Sequence, residues 1–281
     1  MSYAKRGIAV RLAYLAGACC WWALTLGGRL GRGRVVVLCY HGVRDEQAAR
    51  FRRQARRIAK RAVGSWDIEA AESMLGRQRV CLTFDDAFAN LLTNALPALK
   101  ELNAPATVFA VSENLGATPR WAMPEGHPEA GEVTMTAEQV ASCSGDLVRI
   151  GSHTRTHPML TRLDDNALRE ELAGSREALE RIVGSPVTEL AFPHGDYDDR
   201  VVRAAHGAGY GHVYTLDPIA HPGRLPGGVV GRCSADPDMW GLEFFLTCDG
   251  AYGWLDGLRR LVRRMKSRGE APTAPAREAA A

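Results

Sequence analysis

Two adjacent acidic residues and two histidines stand where apolar runs of this 281-residue chain end. Asp85 and Asp86 directly follow the run RVCLTF, and His153 and His157 closely follow the run LVRIG. Two neighbouring carboxylates are costly to bury unless a cation or hydrogen-bond donors meet them. The four-residue spacing of the histidines predicts that both imidazoles lie on one side of a helical turn, where they can bind Zn²⁺ or a similar ion. One aspartate and two histidines leave coordination positions open for water and substrate, which is typical of a catalytic metal site.

The elements that must position these residues follow from the hydrophobic pattern. Short apolar runs alternate with longer amphipathic stretches, which predicts an α/β domain with a mostly parallel sheet covered by helices. Six or seven such units predict closure of the sheet into a barrel. Strands are predicted at residues 34–40, 79–84, 106–111, 147–151, 189–193, 210–215 and 228–233. Helices are predicted at residues 50–61, 90–103, 136–142, 198–208 and 242–266, and from 164 or 165 to 183.

Polar and ionisable residues follow several of these strands. They are His41, the Asp85-Asp86 pair, His153 and the turn FPHGD. Loops at the carboxyl ends of the strands build the site of an α/β barrel. We therefore expect these residues to meet at one end of the barrel.

Two of these segments resemble motifs of a known family. TFDDA at residues 83–87 and HTRTH at residues 153–157 are similar to the first two motifs of the polysaccharide deacetylase family, carbohydrate esterase family 4. The resemblance covers residues 35–248 and rests on the two motifs together. It implies a distorted (β/α) barrel of about seven parallel strands that removes acetyl groups from N-acetylated sugars.

The resemblance also implies roles for the four residues. Asp85 would be the general base, and Asp86, His153 and His157 would hold a divalent metal. Zn²⁺ is the expected ion, with Co²⁺ and Ni²⁺ as alternatives. The substrate would be an N-acetylated polysaccharide, oligosaccharide or lipid-linked sugar.

Two further segments resemble parts of the family. AFPHGDYDD is similar to the third motif, which lines the substrate groove, so Pro193, His194 and Gly195 are expected to bind substrate. VLCYHGV resembles a subgroup in which the acid histidine lies on the first strand, which makes His41 the candidate general acid. His194 and His221 are rival candidates for that role.

Two positions depart from the family pattern. Ala87 stands where the family usually has glycine, and Ala191 stands where it usually has an arginine that orients the base. Arg232 is a candidate replacement for that cation. These departures keep one alternative open, a catalytically inactive carbohydrate-binding protein on the same fold. A second alternative is a hydrolase of another non-peptide C–N bond, because related barrels cleave such bonds.

Charge and composition limit the other classes. A formal net charge of +3 gives no argument for nucleic acid. Seven cysteines without a CxxC pair indicate no disulfide framework and favour a reducing compartment. Residues 50–61 carry seven basic side chains and no acid, which predicts either a solvated helix face or a surface for anionic lipid or substrate.

The amino-terminal segment is the remaining feature. Residues 12–28 are uncharged, and basic residues flank them. Membrane association (by spanning or by lying in the interface), a helix packed on the core and a signal peptide are the alternatives. We expect this segment at residues 1–33, the catalytic domain at 34–268 and a disordered tail at 269–281. The cytoplasm or the cytoplasmic side of the inner membrane is the expected location, with an extracytoplasmic one left open.

Overall fold

Apolar, β-branched segments form the strands of a closed parallel barrel. The computed structural model describes residues 7–25, 35–73, 78–217 and 228–255. The strands are β1 (Val35–Tyr40), β2 (Ala62–Val63), β3 (Arg79–Phe84), β4 (Ala106–Ala110), β5 (Val148–Ser152), β6 (Glu189–Ala191), β7 (His212–Thr215) and β8 (Val229–Ser234). Seven of them form the barrel in the order β1-β8-β7-β6-β5-β4-β3, and the short β2 adds to β3. The predicted fold is confirmed, with strand ends shifted by one or two residues.

The first strand closes the barrel. β1 pairs in parallel with β3 on one side and with β8 on the other, so that Val37 stands opposite both Cys81 and Arg232. All six residues of β1 are buried. A strand buried on both faces needs no alternation of apolar and polar residues, which explains the continuous run VVVLCY.

Helices cover the outside of the barrel. They are α1 (Ile8–Leu24), α2 (Ala48–Ile58), α3 (Ile68–Ser73), α4 (Asn90–Asn94), α5 (Leu96–Leu102), α6 (Ala137–Cys143), α7 (Asp165–Arg169), α8 (Ser175–Val183), α9 (Asp199–Gly207) and α10 (Gly241–Cys248). A π-helical turn joins α7 to α8 without a break. Side chains of Thr136, Asp164 and Asp198 cap α6, α7 and α9.

Two helix predictions were wrong in extent. The single helix predicted at 90–103 is two helices, because Pro97 lies in the first turn of α5 and cannot donate the hydrogen bond that a continuous helix requires. The helix predicted at 242–266 ends at Cys248, where turns follow and Gly250 adopts a positive φ of 68°. Its part beyond residue 255 lies outside the described residues, as does the predicted tail at 269–281.

The amino-terminal helix α1 packs on α10. Arg11 forms a salt bridge with Glu243, and the indole Nε1 of Trp22 donates to Asp249 Oδ2 at 3.3 Å. Gly17 permits close contact, since a Cβ there would lie 2.8 Å from the ring of Trp254. Within the described ranges, no helix combines the length and apolar character needed to cross a bilayer. The predicted membrane association stays a prediction.

A buried carboxylate lies inside the barrel, near the amino ends of the strands. Glu189 Oε2 accepts hydrogen bonds from Ser65 Oγ at 2.6 Å and from Thr107 Oγ1 at 3.3 Å. Its Oε1 accepts from the Tyr214 hydroxyl at 3.0 Å. These donors satisfy an acid that would otherwise be costly to bury.

Candidate active site

The two adjacent aspartates lie on a tight turn at the carboxyl end of β3. The backbone N–H of Asp85 still bonds the Tyr40 carbonyl at 2.9 Å, and the chain then turns away. Asp86 and Ala87 have φ values of 67° and 49°. This left-handed turn directs the two carboxylates differently, although a side chain in that conformation costs roughly 1–2 kcal/mol per residue. Ala87 therefore adopts the backbone geometry for which glycine is usually used.

The two histidines converge by a different route from the predicted one. No helical turn connects them, so that interpretation of their spacing was wrong. His153 follows β5 directly, and its N–H bonds the Ala110 carbonyl at 2.8 Å. Thr154 and His157 have φ values of 67° and 65°, and Thr154 Oγ1 accepts from the N–H of His157. This looped backbone brings the two ring centroids to 4.8 Å.

Asp86, His153 and His157 form a cluster suited to a divalent metal. Asp86 Oδ1 lies 3.8 Å from His153 Nε2 and 3.7 Å from His157 Nε2. Ligand atoms about 2 Å from one shared ion lie roughly 3–4 Å apart. Among the described residues, the buried Asp86 Oδ1 has no hydrogen-bond partner, as expected of an atom reserved for a cation.

Both histidines are kept neutral, which is the form of imidazole that binds a metal. His153 Nδ1 donates to the Ala191 carbonyl at 2.8 Å, which leaves the lone pair of Nε2 free to bind a metal. Burial lowers the pKa of His153 to about 4 and that of His157 to about 2, so both rings are neutral at neutral pH. Burial raises the pKa of Asp86 to about 7, which indicates that its charge needs a nearby cation.

A buried arginine holds the other aspartate. Arg232 on β8 donates two hydrogen bonds to Asp85, Nη1 to Oδ1 at 2.6 Å and Nη2 to Oδ2 at 2.8 Å. Burial is the largest influence on the pKa of Asp85 and would raise it, but the charge and hydrogen bonds of Arg232, together with His153 and His41, outweigh burial and hold that pKa well below its usual range. The Cys39 thiol donates to Asp85 Oδ2 at 3.2 Å. Arg232 thus places beside Asp85 the cation that is missing at Ala191, the role for which the sequence made it a candidate.

His41 lies on the same side of the site as Asp85. It follows β1 directly, and ligand atoms of His41, Cys39 and Asp85 lie within 4.8 Å of one another. The half-buried His41 lines the cavity that also contains Asp86. This position suits a proton donor beside the reacting bond.

The cavity of about 500 Å³ opens at the carboxyl end of the barrel. Residues 121–129, between the predicted strand at 106–111 and the predicted helix at 136–142, form much of its wall. Trp121 stacks on His157 with ring centroids 4.6 Å apart, and Glu129 Oε1 accepts from the N–H of Gly42 at 3.2 Å. The one sequence signal for this wall was the loop composition of residues 116–131, which gives no position for a side chain.

The third motif contributes one side chain to the cavity. His194 has a φ of 59° and lines the cavity, with its ring centroid 4.5 Å from that of His157. Pro193 and Gly195 build the 3₁₀ turn around it and are not among the lining residues. Substrate binding by all three stays a prediction. His221, the other rival acid, lies outside the described residues.

The sequence model of the polysaccharide deacetylases matches residues 73–213, which is half of the chain. The chain belongs to the polysaccharide deacetylase family. This confirms the assignment made from the TFDDA and HTRTH motifs. The matched segment contains Asp85, Asp86 and both histidines. His41 and Arg232 lie outside it, and their positions beside the site are seen only in the structure.

Individual relatives agree with this assignment. The chain is 27% identical over 173 residues to YxkH of Bacillus subtilis (strain 168), whose name places it in the same family. That match covers 62% of this chain and 55% of the relative, so the chain spans about half the length of YxkH.

Solved structures share the fold. BC0361, a polysaccharide deacetylase from Bacillus cereus, superposes with a TM-score of 0.63 at 22% identity, covering 78% of this chain and 69% of that one. IcaB from Ammonifex degensii gives 0.61 at 24% identity, covering 76% and 97%. The Streptococcus pyogenes deacetylase PplD in complex with acetate gives 0.64 at 19% identity, covering 76% and 97%. At these identities, the likeness concerns the fold.

Proposed function

We propose that this protein is a metal-dependent carbohydrate N-deacetylase in which Asp85 is the general base and His41 the general acid. Asp86, His153 and His157 are the proposed metal ligands. The observation that carries the proposal is the convergence of Asp86 Oδ1 with both histidine Nε2 atoms, beside a second aspartate that is kept ionised. Family membership supports the reaction class.

The ligand set favours Zn²⁺, with Co²⁺ and Ni²⁺ as alternatives. Two imidazoles and one carboxylate are common protein ligands of catalytic zinc. When bound, the ion supplies Lewis-acid polarisation of the acetyl carbonyl and lowers the pKa of water. His153 is already oriented for this by its bond to the Ala191 carbonyl.

Asp85 performs the first proton transfer. Its carboxylate takes a proton from the attacking water while the water oxygen forms a bond to the acetyl carbon and the π electrons of the carbonyl move onto its oxygen. Arg232 keeps this carboxylate charged and fixes its orientation by a hydrogen bond to each oxygen. The Cys39 thiol adds a third donor, so that rotation of the carboxylate away from the cavity is restricted.

His41 performs the second proton transfer. The C–N bond breaks only when the sugar nitrogen receives a proton, because an amide anion is a very poor leaving group. His41 lines the cavity near Asp85 and donates that proton. The products are acetate and an amino sugar, and the proton on Asp85 returns to solvent or to His41.

The proposed substrate is an N-acetylated polysaccharide, oligosaccharide or glycolipid. A cavity of about 500 Å³ lies within the ordinary size range of ligand sites and admits a sugar ring with its acetyl group. Trp121 offers an apolar ring face on the cavity wall, which suits the C–H face of a pyranose.

Acetate release from N-acetylglucosamine oligomers tests the proposal. Release is expected before chelation, absent after it, and restored by Zn²⁺ or Co²⁺. Asp85→Asn should bind metal as the wild type does and release no acetate, because it keeps the ligands and lacks the base. Asp86→Ala should lose both metal and activity, because it lacks the carboxylate ligand.

Asp146→Asn is the matched control, since this exposed carboxylate lies outside the cavity lining. It should retain wild-type metal content and activity. Full metal content in Asp86→Ala would contradict the ligand assignment, and substantial turnover by Asp85→Asn would contradict the base. Stoichiometric metal without acetate release would direct the search to other C–N bonds.

A further inference from the structure

Exposed apolar side chains of this protein concentrate on two adjacent helices. Of the nine large hydrophobic residues that are exposed within the described ranges, only Val133 lies elsewhere. The others define what we term the α1–α10 face: Ile8, Val10, Leu12, Trp21, Leu24, Trp240, Leu242 and Phe245. Scattered apolar residues are ordinary on a protein surface, but a cluster of this size indicates a contact site.

Helix α1 is apolar on all sides. Its inner side packs on the α10 region through Leu15, Ala18 and Trp22. Its single charged residue, Arg11, turns inward to Glu243 and is only 10% exposed at the side chain. The outer side of α1 is left without charge. A helix with this composition is normally covered on every side. Its inner side is covered by the α10 region, and a covering partner is expected on its outer side.

A basic surface borders this face. The ring of Phe245 on α10 lies 5.9 Å from Trp22 of α1, and it also lines a groove with Arg57 and Arg61. Arg61 and Trp22 both contact Asp249, which joins α1 to the end of α2. Apolar and basic surfaces therefore meet along α10.

Two arginines on this border carry charge that no carboxylate of the described residues pairs with. Arg53 and Arg57 of α2 are exposed, and neither forms an ion pair with a described residue. Arg57 makes only a long hydrogen bond of 3.4 Å to the Gly241 carbonyl. Both line a second groove, with Met239 and Phe244 as apolar neighbours.

We propose that the α1–α10 face docks on a membrane surface rich in anionic lipids, with α1 lying in the plane of the interface. The apolar side chains enter the boundary between headgroups and acyl chains, and Arg53 and Arg57 contact lipid phosphates. A helix of 17 residues is about 25 Å long, which is less than the roughly 30 Å of a hydrocarbon core. Contacts near both ends of α1 hold it along α10, so it does not project from the barrel.

A second copy of the chain fits this face less well. Protein interfaces surround their apolar centre with hydrogen-bonding groups, whereas the outer side of α1 offers chiefly aliphatic groups. A twofold contact would also bring two identical basic surfaces towards each other, which is unfavourable. Anionic lipid satisfies the apolar and the basic part together.

The proposed docking face reaches the cavity end of the barrel. Helix α10 begins shortly after residues 234–237, which line the cavity. Docking would hold the cavity beside the membrane, which suits a glycolipid or a glycan at the membrane surface. That last consequence rests on the proposed function, but the docking itself does not.

Flotation of the full chain with lipid vesicles tests the proposal. The vesicles contain either phosphatidylcholine alone or equal amounts of phosphatidylcholine and phosphatidylglycerol. The protein should float with the anionic vesicles, bind the neutral ones much more weakly and lose this preference at high salt. Recovery in the unbound fraction with both vesicle types would overturn the proposal.

Two sets of variants separate the apolar and basic parts. The combined Ile8→Asn, Leu12→Asn and Leu24→Asn variant should lower vesicle partitioning by more than about tenfold, with Val133→Asn as the matched control of similar exposure.

Arg53→Gln combined with Arg57→Gln should lower binding to anionic vesicles by about thirtyfold. The matched control is Arg203→Gln, an exposed arginine of α9.

All these positions are exposed, so circular dichroism and soluble-substrate turnover should match the wild type. Wild-type flotation of either combined variant would overturn the proposal. The proposal would also be overturned if the wild type bound no vesicles and formed a dimer that the combined α1 variant could not form. If the wild-type protein floats with the vesicles but releases no acetate, the result would count against the proposed function alone.

Discussion

Replacing Arg232 with methionine tests whether this arginine maintains the charge of Asp85. Arg232 is fully buried and Asp85 is 2% exposed, and two hydrogen bonds of 2.6 and 2.8 Å join them. Methionine fills a similar volume without charge, so the variant leaves a buried carboxylate beside the metal ligands. None of the three proposed metal ligands bonds to Arg232, and metal content should therefore stay at the wild-type level.

The expected magnitudes follow from the burial of the pair. Removing one partner of a buried ion pair costs about 3–5 kcal/mol of folding free energy. For a domain of this size, each kcal/mol lowers the melting temperature by about 2–4 °C. Without Arg232, burial raises the pKa of Asp85 instead of leaving it depressed, so the base is protonated over more of the pH range. Losing a general base lowers kcat/KM by roughly 10²–10⁴-fold at neutral pH.

The sign of the pH dependence is specific. In the wild type the depressed pKa of Asp85 stabilises the fold above the unfolded pKa, and this is lost only as pH falls through the folded pKa. In the variant the pKa of Asp85 is raised, so the folded protein takes up a proton at this residue before the unfolded chain does. The variant's loss of stability relative to the wild type therefore becomes smaller as pH falls towards about 4. The acid limb of the kcat/KM profile should move to higher pH.

Thermal unfolding, metal analysis and pH–rate profiles of acetate release measure these effects. Arg232→Met combined with Asp85→Asn is the control, because it removes both charges and should be more stable than the single variant. The reasoning would be refuted by a single variant with wild-type stability and an unmoved acid limb, or by a double variant no more stable than the single one.

Three further predictions concern other parts of the barrel. His41→Gln should lower turnover by roughly 10²–10⁴-fold with metal content unchanged; unaltered acetate release would assign the acid to another group, with His194 the first candidate. Ala87→Gly should change the melting temperature little, because relief of about 1–2 kcal/mol of backbone strain offsets a lost methyl and added chain entropy; a large loss would mean that the left-handed turn is not strained. Glu189→Gln should destabilise the barrel by about 1–3 kcal/mol in urea unfolding and leave kcat/KM of the folded enzyme intact; a matching loss of turnover would connect this network to the cavity.

Strand ends could be predicted well from the sequence, because β-branched runs and the acids that follow them are local features. Asp85 and Asp86 follow the end of one strand and His153 follows the end of another, and parallel strands bring such ends together. The path from His153 to His157 could not be predicted, since Thr154 and His157 adopt left-handed φ values that no glycine announces.

Long-range contacts account for the other gaps. The pairing of Arg232 with Asp85 depends on β8 closing the barrel against β1, and the sequence could offer Arg232 only as a candidate. The cavity wall at 121–129 is anchored by backbone bonds such as Thr134 N–H to the Ala117 carbonyl, which join residues far apart in the loop. Composition identifies such a loop but contains no information about where Trp121 points.

Closure of the barrel by β1 has a consequence for the timing of activity. Asp85 leaves the ribosome 147 residues before Arg232. Until β8 docks between β7 and β1, the acid at position 85 lacks Arg232 to keep it ionised, although all three proposed metal ligands have already been synthesised. A nascent chain, or one shortened before β8, would then capture metal, yet hydrolysis would begin only after β8 arrives. The enzyme is in this sense latent until β8 has been synthesised and has docked.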